Sequence, residues 1–255
     1  MDLGLAGRVF IVTGGSRGLG RATAEVLVSE GARVVLGARH EDALATVAST
    51  LGGPEHAVGV AGDLTDPSCP ERLVAAAVGR YGRLDGALVS CGGPPPGDAM
   101  TTTDEQWQAA FDGAFLGPLR VARAVAHAMT EEGGSLALVL SSSVLGPLPG
   151  LAASNGLRPG LAMLVKELAG ELGAQRVRVN GLLPGRIDTD RVRELDARTG
   201  RADTVRRRHE DSIPLGRYGD PVEFGTVAAF VLSAAASYVN GALVSVDGGG
   251  SRVRP

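Results

Sequence analysis

Lysine is nearly missing from this chain. Of its 25 basic residues only Lys166 is a lysine, and the rest are arginines. Read with the abundant alanine and glycine, this is a chain-wide coding bias, so a missing lysine at any one place says less than it would elsewhere. Cysteine is almost as scarce. Cys69 and Cys91 cannot build a disulfide framework and fit a reducing compartment. The three tyrosines, Tyr81, Tyr218 and Tyr238, leave few phenols for acid–base work. The four histidines, His40, His56, His127 and His209, are scattered and give no metal-ligand spacing. No apolar run approaches the roughly 18 residues of a membrane span. The start, MDLGLAGRVFIVTG, lacks the basic head and long apolar core of a signal peptide. The expectation is a soluble, cytoplasmic protein with no membrane partner. A net charge of −3 argues against nucleic acid as the main partner.

What is present is an alternation. Short apolar runs rich in β-branched residues fall at 8–14, 32–38, 56–62, 84–90, 134–142, 176–185 and 241–249. Strands buried on both faces read this way. Helical patterns lie between them, at about 18–30, 41–51, 70–81, 104–130, 155–173 and 220–235. Asp104 is a plausible N-cap, and Pro221 after Asp220 suits a first helical position. Seven strands alternating with six helices predict an α/β fold. It is a doubly wound, seven-stranded parallel sheet of the Rossmann kind, with right-handed crossovers. A chain of 255 residues suits one domain, residues 1–255. The stretch DTDRVRELDARTGRADTVRRRHED (188–211) interrupts the alternation with seven arginines and seven acids. It is expected to form one or two exposed helices, an inserted substrate lid at about 188–213. Balanced charge points to a salt-bridged surface; the arginines also invite an anionic substrate.

TGGSRGLG (13–20) follows the first strand and opens a helix. Glycines there let the backbone approach a pyrophosphate at the positive end of the helix dipole. Gly14, Ser16, Arg17, Gly18, Leu19 and Gly20 are therefore candidate cofactor-binding residues. An NAD site usually ends the second strand with an acid that holds the ribose 2′-hydroxyl. Here Ala38-Arg39 stands in that place. Arg39, with Arg17, suits a 2′-phosphate and favours NADP(H) over NAD(H).

Taken in order, TGGSRGLG, GDLTD (62–66), CGG (91–93), SSS (141–143), RVNGLLPGRIDT (178–189), PLGRYGDPVEFG (214–225) and SYVNGALVSVDGG (237–249) resemble the short-chain dehydrogenase/reductases. The likeness is to the β-ketoacyl reductase-like members and covers essentially the whole chain. It implies that Asp63 and Leu64 hold the adenine. Ser90-Cys91-Gly92 stands where the family keeps Asn-Ala-Gly, with Gly92 retained. Pro184, Gly185, Ile187 and Thr189 match the loop that receives the nicotinamide carboxamide. The resemblance also implies a homotetramer or homodimer, through the two long helices and the last strand.

The family normally works with Asn, Ser, Tyr and Lys. Ser143 matches the serine, while Ala114 falls at the asparagine. PGLAASNGLRPG (149–160) should carry the tyrosine and lysine and has neither. One register puts Leu151 and Asn155 at those positions. The other, without a gap inside the helix, puts Ser154 and Arg158 there and is preferred. The candidate catalytic set is Ser143, Ser154 and Arg158. A serine hydroxyl does not ionise near neutrality as an activated tyrosine does, and arginine holds its proton too firmly to relay it. Pro159 should kink or restart its helix. Tyr81, Tyr218 and Tyr238 read as packing residues, His209 as a solvated helix face, and Cys91 as a small packed residue. The leading expectation is NADPH-dependent reduction of a small carbonyl substrate with a non-standard proton-donating site. The alternatives are an NADP-binding regulator or scaffold without redox chemistry, or a non-redox lyase or isomerase on the same fold.

Overall fold

A computed structural model describes residues 2–129, 132–198 and 200–251. Seven strands pair in parallel in the order β3-β2-β1-β4-β5-β6-β7. They are β1 (Val9–Thr13), β2 (Arg33–Ala38), β3 (Ala57–Ala61), β4 (Gly86–Val89), β5 (Gly134–Val139), β6 (Val177–Pro184) and β7 (Leu243–Val246). The helices are α1 (Gly18–Ser29), α2 (Glu41–Thr50), α3 (Cys69–Tyr81), α4 (Asp104–Phe111), α5 (Gly117–Ala128), α6 (Ala152–Leu172), α7 (Asp190–Ala197), α8 (Ala202–Ser212) and α9 (Pro221–Leu232). Among the described residues no helix is long and apolar enough to cross a membrane.

The sheet is doubly wound because each strand presents apolar side chains to both faces. In β1, Val9 and Ile11 join a core with α3, α5 and α6. Their neighbours Phe10 and Val12 join the opposite core with α1, α2 and α9. Period-two alternation thus feeds two hydrophobic layers instead of one core and one wet face. Fully burying a side chain such as Phe10 contributes roughly 1.5–3 kcal/mol. The order of strands reverses between β1 and β4. That switch point opens a crevice at the carboxyl ends of the strands, where open α/β sheets take their ligands.

Two elements depart from the sequence-based reading. The helix expected over 104–130 is divided, and residue 130 lies outside the described residues. A capping box between Thr103 and Gln106 starts α4. A π-helical turn over Asp112–Leu116 follows, in which the Gly117 amide bonds back to the Asp112 carbonyl. Pro118 has no N–H to give the carbonyl of Ala114, and the wider turn absorbs the mismatch. Helix α6 begins at Ala152, earlier than expected, and runs unbroken through Pro159. The lost hydrogen bond is offset by the buried stripe Leu161, Ala162, Val165, Leu168 and Ala169. The segment 188–213, expected to form one or two helices, forms two, α7 and α8. Part of its charge is paired: Asp188 meets Arg193 at 2.9 Å and Arg206 at 3.2 Å, and Arg206 also meets Glu210 at 2.8 Å.

Candidate active site

One cleft of about 1450 Å³ runs along the carboxyl ends of the strands. It begins at the turn between β1 and α1. Gly18 there has a φ of +57°, and a Cβ on Gly20 would collide with the Gly14 carbonyl. Only glycine permits this fold of the chain. Arg17, the N-cap of α1, makes no side-chain cap, so the first-turn amides remain free for an anion. The turn therefore fits a pyrophosphate.

Gly14, Ser16, Arg17, Gly18, Leu19 and Gly20 all line the cleft. So do Arg39 after β2, Asp63 and Leu64 after β3, and Gly92 after β4. Pro184, Gly185, Ile187 and Thr189, which end β6 and lead into α7, complete that wall. Arg39 is exposed and has no carboxylate partner among the described residues. Arg17 is 3.6 Å from Glu194 of the lid. The Asp63 carboxylate accepts from the Thr65 amide and hydroxyl, both at 2.9 Å, which fixes its loop. The family's asparagine after β4 is absent, yet the junction is still tied. Thr13 Oγ1 donates to the Ser90 carbonyl at 2.7 Å and accepts from the Ser90 amide at 2.8 Å.

Ser154 and Arg158 lie four residues apart on α6 and so share one helix face, which lines the cleft. Arg158 is only 4% exposed. Its Nη1 donates to the Val139 carbonyl at 2.8 Å and its Nη2 to Cys91 Sγ at 3.2 Å. No carboxylate neutralises it among the described residues. Ser143 is placed differently from Ser154. It lies on the 3-10 turn Ser142–Val144, is 4% exposed, and sits behind Ser154. The two hydroxyl oxygens are 3.1 Å apart. Ser154 faces the cleft, and Ser143 reaches it through Ser154.

The neighbouring Asn155 serves the site by another route. Its Oδ1 accepts from the Leu148 amide at 3.0 Å, and its Nδ2 donates to the Leu148 carbonyl at 2.9 Å. This clamp holds the loop between Ser143 and α6 against the cleft. A parallel bridge between Gly97 and Leu151 joins the same loop to the segment after β4.

His209 is not a solvated surface residue. It lines the cleft, half-buried, with Nε2 2.8 Å from Arg186 Nη2. Arginine can only donate, so Nε2 accepts and the ring hydrogen sits on Nδ1. Burial, with help from the Arg186 charge, lowers the His209 pKa. Sequence spacing held no signal for this, because Arg186 lies 23 positions away. Tyr218 is no substitute phenol. It is buried, donates to Asp196 Oδ2 at 2.9 Å, and burial followed by that carboxylate raises its pKa. Burial likewise raises the Cys69 thiol.

Comparison with known proteins extends this geometry. The family profile described as enoyl-(acyl carrier protein) reductase matches residues 14–251. The L-rhamnose 1-dehydrogenase (NAD(P)(+)) of Azotobacter vinelandii is 33% identical over 254 residues, covering 96% of this chain and 97% of that protein. The 3-oxoacyl-(acyl-carrier-protein) reductase FabG of Vibrio cholerae is 29% identical, covering 97% and 98%. The structure of L-sorbose reductase from Gluconobacter frateurii, complexed with NADPH and L-sorbose, superposes with a TM-score of 0.93 at 28% identity. All of both chains is covered. With sheet order, phosphate turn and nearly full-length matches in agreement, the chain belongs to the short-chain dehydrogenase/reductase family.

Proposed function

We propose that this protein is an NADPH-dependent carbonyl reductase whose proton comes from a site without tyrosine. One observation carries the reading: Ser154 and a buried, carboxylate-free Arg158 share the helix face that lines the cleft beyond the phosphate turn. NADPH, when bound, supplies the hydride. Gly14 to Gly20 hold its pyrophosphate, Asp63 and Leu64 its adenine, and Gly92 leaves room for the dinucleotide. Pro184, Gly185, Ile187 and Thr189 hold its carboxamide end. Arg17 and Arg39 suit a 2′-phosphate, which favours NADP(H) over NAD(H). The NADPH bound to the sorbose reductase and the NAD(P)(+) in the rhamnose dehydrogenase's name support a nicotinamide coenzyme.

The Ser154 hydroxyl donates to the substrate oxygen, and Ser143 orients that hydroxyl. Arg158 stabilises the negative charge that grows on oxygen during hydride arrival. The proton that completes the alcohol comes from water held at the serine pair. Overall, carbonyl, NADPH and one proton give alcohol and NADP+. Positioning and charge stabilisation thus take over much of what an ionisable phenol would do. The family supports self-association, and Met163, 65% exposed on α6, is an apolar side chain suited to a helix-pair contact.

A second reading rests on its own observation. Among the described residues lining the cleft there is no tyrosine. A dinucleotide-binding regulator, or a lyase or isomerase that never uses the hydride, fits that as well. Fluorescence titration with NADPH and NADH tests the shared premise, and binding of neither removes the reductase. NADPH oxidation with activated ketones and quinones then separates the readings. Turnover that falls with Ser154→Ala supports the reductase. Turnover created only by Ser154→Tyr with Arg158→Lys overturns it.

A further inference from the structure

Of the seven arginines in 188–211, only Arg193 and Arg206 pair with a carboxylate among the described residues; of the other five, Arg191 is the one that lines the cleft. It sits on α7, lines the cleft, and has no carboxylate partner among the described residues. Its Nη2 donates to the Pro94 carbonyl at 2.9 Å. Its guanidinium lies 3.5 Å from where a Gly93 Cβ would stand, so the cation packs directly on the backbone at residue 93. Two residues before Gly93, Cys91 touches Arg158. Two unneutralised guanidinium groups therefore flank residues 91–93, one at the proposed reaction centre and one on the lid. At no more than about 3.6 Å per residue, that segment spans only a few carbon–carbon bonds.

The remaining lid groups facing the cleft are mostly donors. Arg186 bridges Asp196 at 3.0 Å and His209 at 2.8 Å, leaving the His209 Nδ1–H to donate. Asp190 also faces the cleft, and its carboxylate lies 3.5 Å from Arg193. Apolar side chains also line the cleft: Pro95, Leu145, Leu148, Pro149 and Leu151. The Asn155 clamp holds Leu148 of that lining.

From this juxtaposition we infer that the substrate is an oxo acid, an apolar ketone whose carboxylate, a few bonds from the reacting carbonyl, pairs with Arg191. Guanidinium and carboxylate match in shape and charge, and their hydrogen bonds are among the strongest available to a side chain. The apolar body lies on the proline- and leucine-lined wall. The carbonyl reaches Ser154 and Arg158, where reduction follows as set out above; the inference rests on that reading for turnover but not for binding.

Benzoylformate and 3-benzoylpropionate, each beside its methyl ester, test the assignment on the NADPH-loaded protein. The acid of at least one pair should show kcat/KM roughly tenfold or more above its ester, a preference within reach of one charged contact. Arg191→Gln should bring that ratio close to one, and Arg191→Lys should keep part of it. Thermal shift with NADP+ present reads binding without turnover. Acid binding that depends on Arg191, with no turnover of any ketone, upholds this inference and removes the reductase. Ester turnover without acid preference does the reverse. Acid preference that survives Arg191→Gln, or failure of both acids to bind, overturns the inference.

Discussion

In the proposed mechanism two serine hydroxyls 3.1 Å apart divide one task unequally. Ser154 reaches the cleft and Ser143 reaches only Ser154 and its backbone. Removing a donor at a developing oxyanion typically costs about 100-fold or more in kcat. Ser154→Ala should lose about that much, while Ser143→Ala should lose about tenfold and keep its KM. Steady-state kinetics on any ketone turned over distinguishes the two. His209 makes a different prediction. Its folded pKa lies below the ordinary 6.5, through burial and then Arg186. The unfolded chain therefore takes up the proton first on acidification. The stability that His209 contributes is complete above about pH 6.5 and is lost as the pH falls through the folded value. Melting temperature against pH should fall less steeply below pH 6.5 in His209→Gln than in the parent protein. The phosphate turn was readable residue by residue, since TGGSRGLG after an apolar run leaves little choice of conformation. The half-burial of His209 was not, because it depends on Arg186 and on how the lid lies over the cleft.

At the scale of elements, the loop between Ser143 and α6 is held by a side chain acting as a strand would. Asn155 exchanges two hydrogen bonds with the Leu148 backbone. Asn155→Ala should cost about 1–2 kcal/mol. It should also speed hydrogen exchange at the Leu148 amide and raise KM more than it lowers kcat. Exchange at Leu148 unchanged from the parent would show that the clamp does not hold the loop. All seven strands were legible as short apolar runs; burial on both faces explains this for the inner strands, while the edge strands β3 and β7 are only partly buried. The π turn in the helix after Thr103 was not. Pro118 signals a defect, but whether a helix breaks, kinks or widens there is decided by its packing. For the same reason Pro159 predicted an interruption that the buried stripe of α6 overrides.

At the scale of the molecule, the residues proposed to hold the cofactor come from the ends of β1, β2, β3, β4 and β6 and line one cleft only once those strands are assembled. Dinucleotide binding should therefore report on the whole fold. NADPH at about 100 times its Kd should add about 2.7 kcal/mol of stability. For a chain of this size that raises Tm by roughly 5–10 °C. NADH at equal concentration should do less, and Arg39→Ala should narrow the gap between them. Equal shifts from both coenzymes would remove the assigned preference for the 2′-phosphate. The near absence of lysine has a practical consequence at this scale. Lys166 is exposed on α6, past the residues that line the cleft, and donates to the Gly241 carbonyl at 3.1 Å. Among side chains, an amine-reactive dye or tether has one address, and it lies away from the cleft.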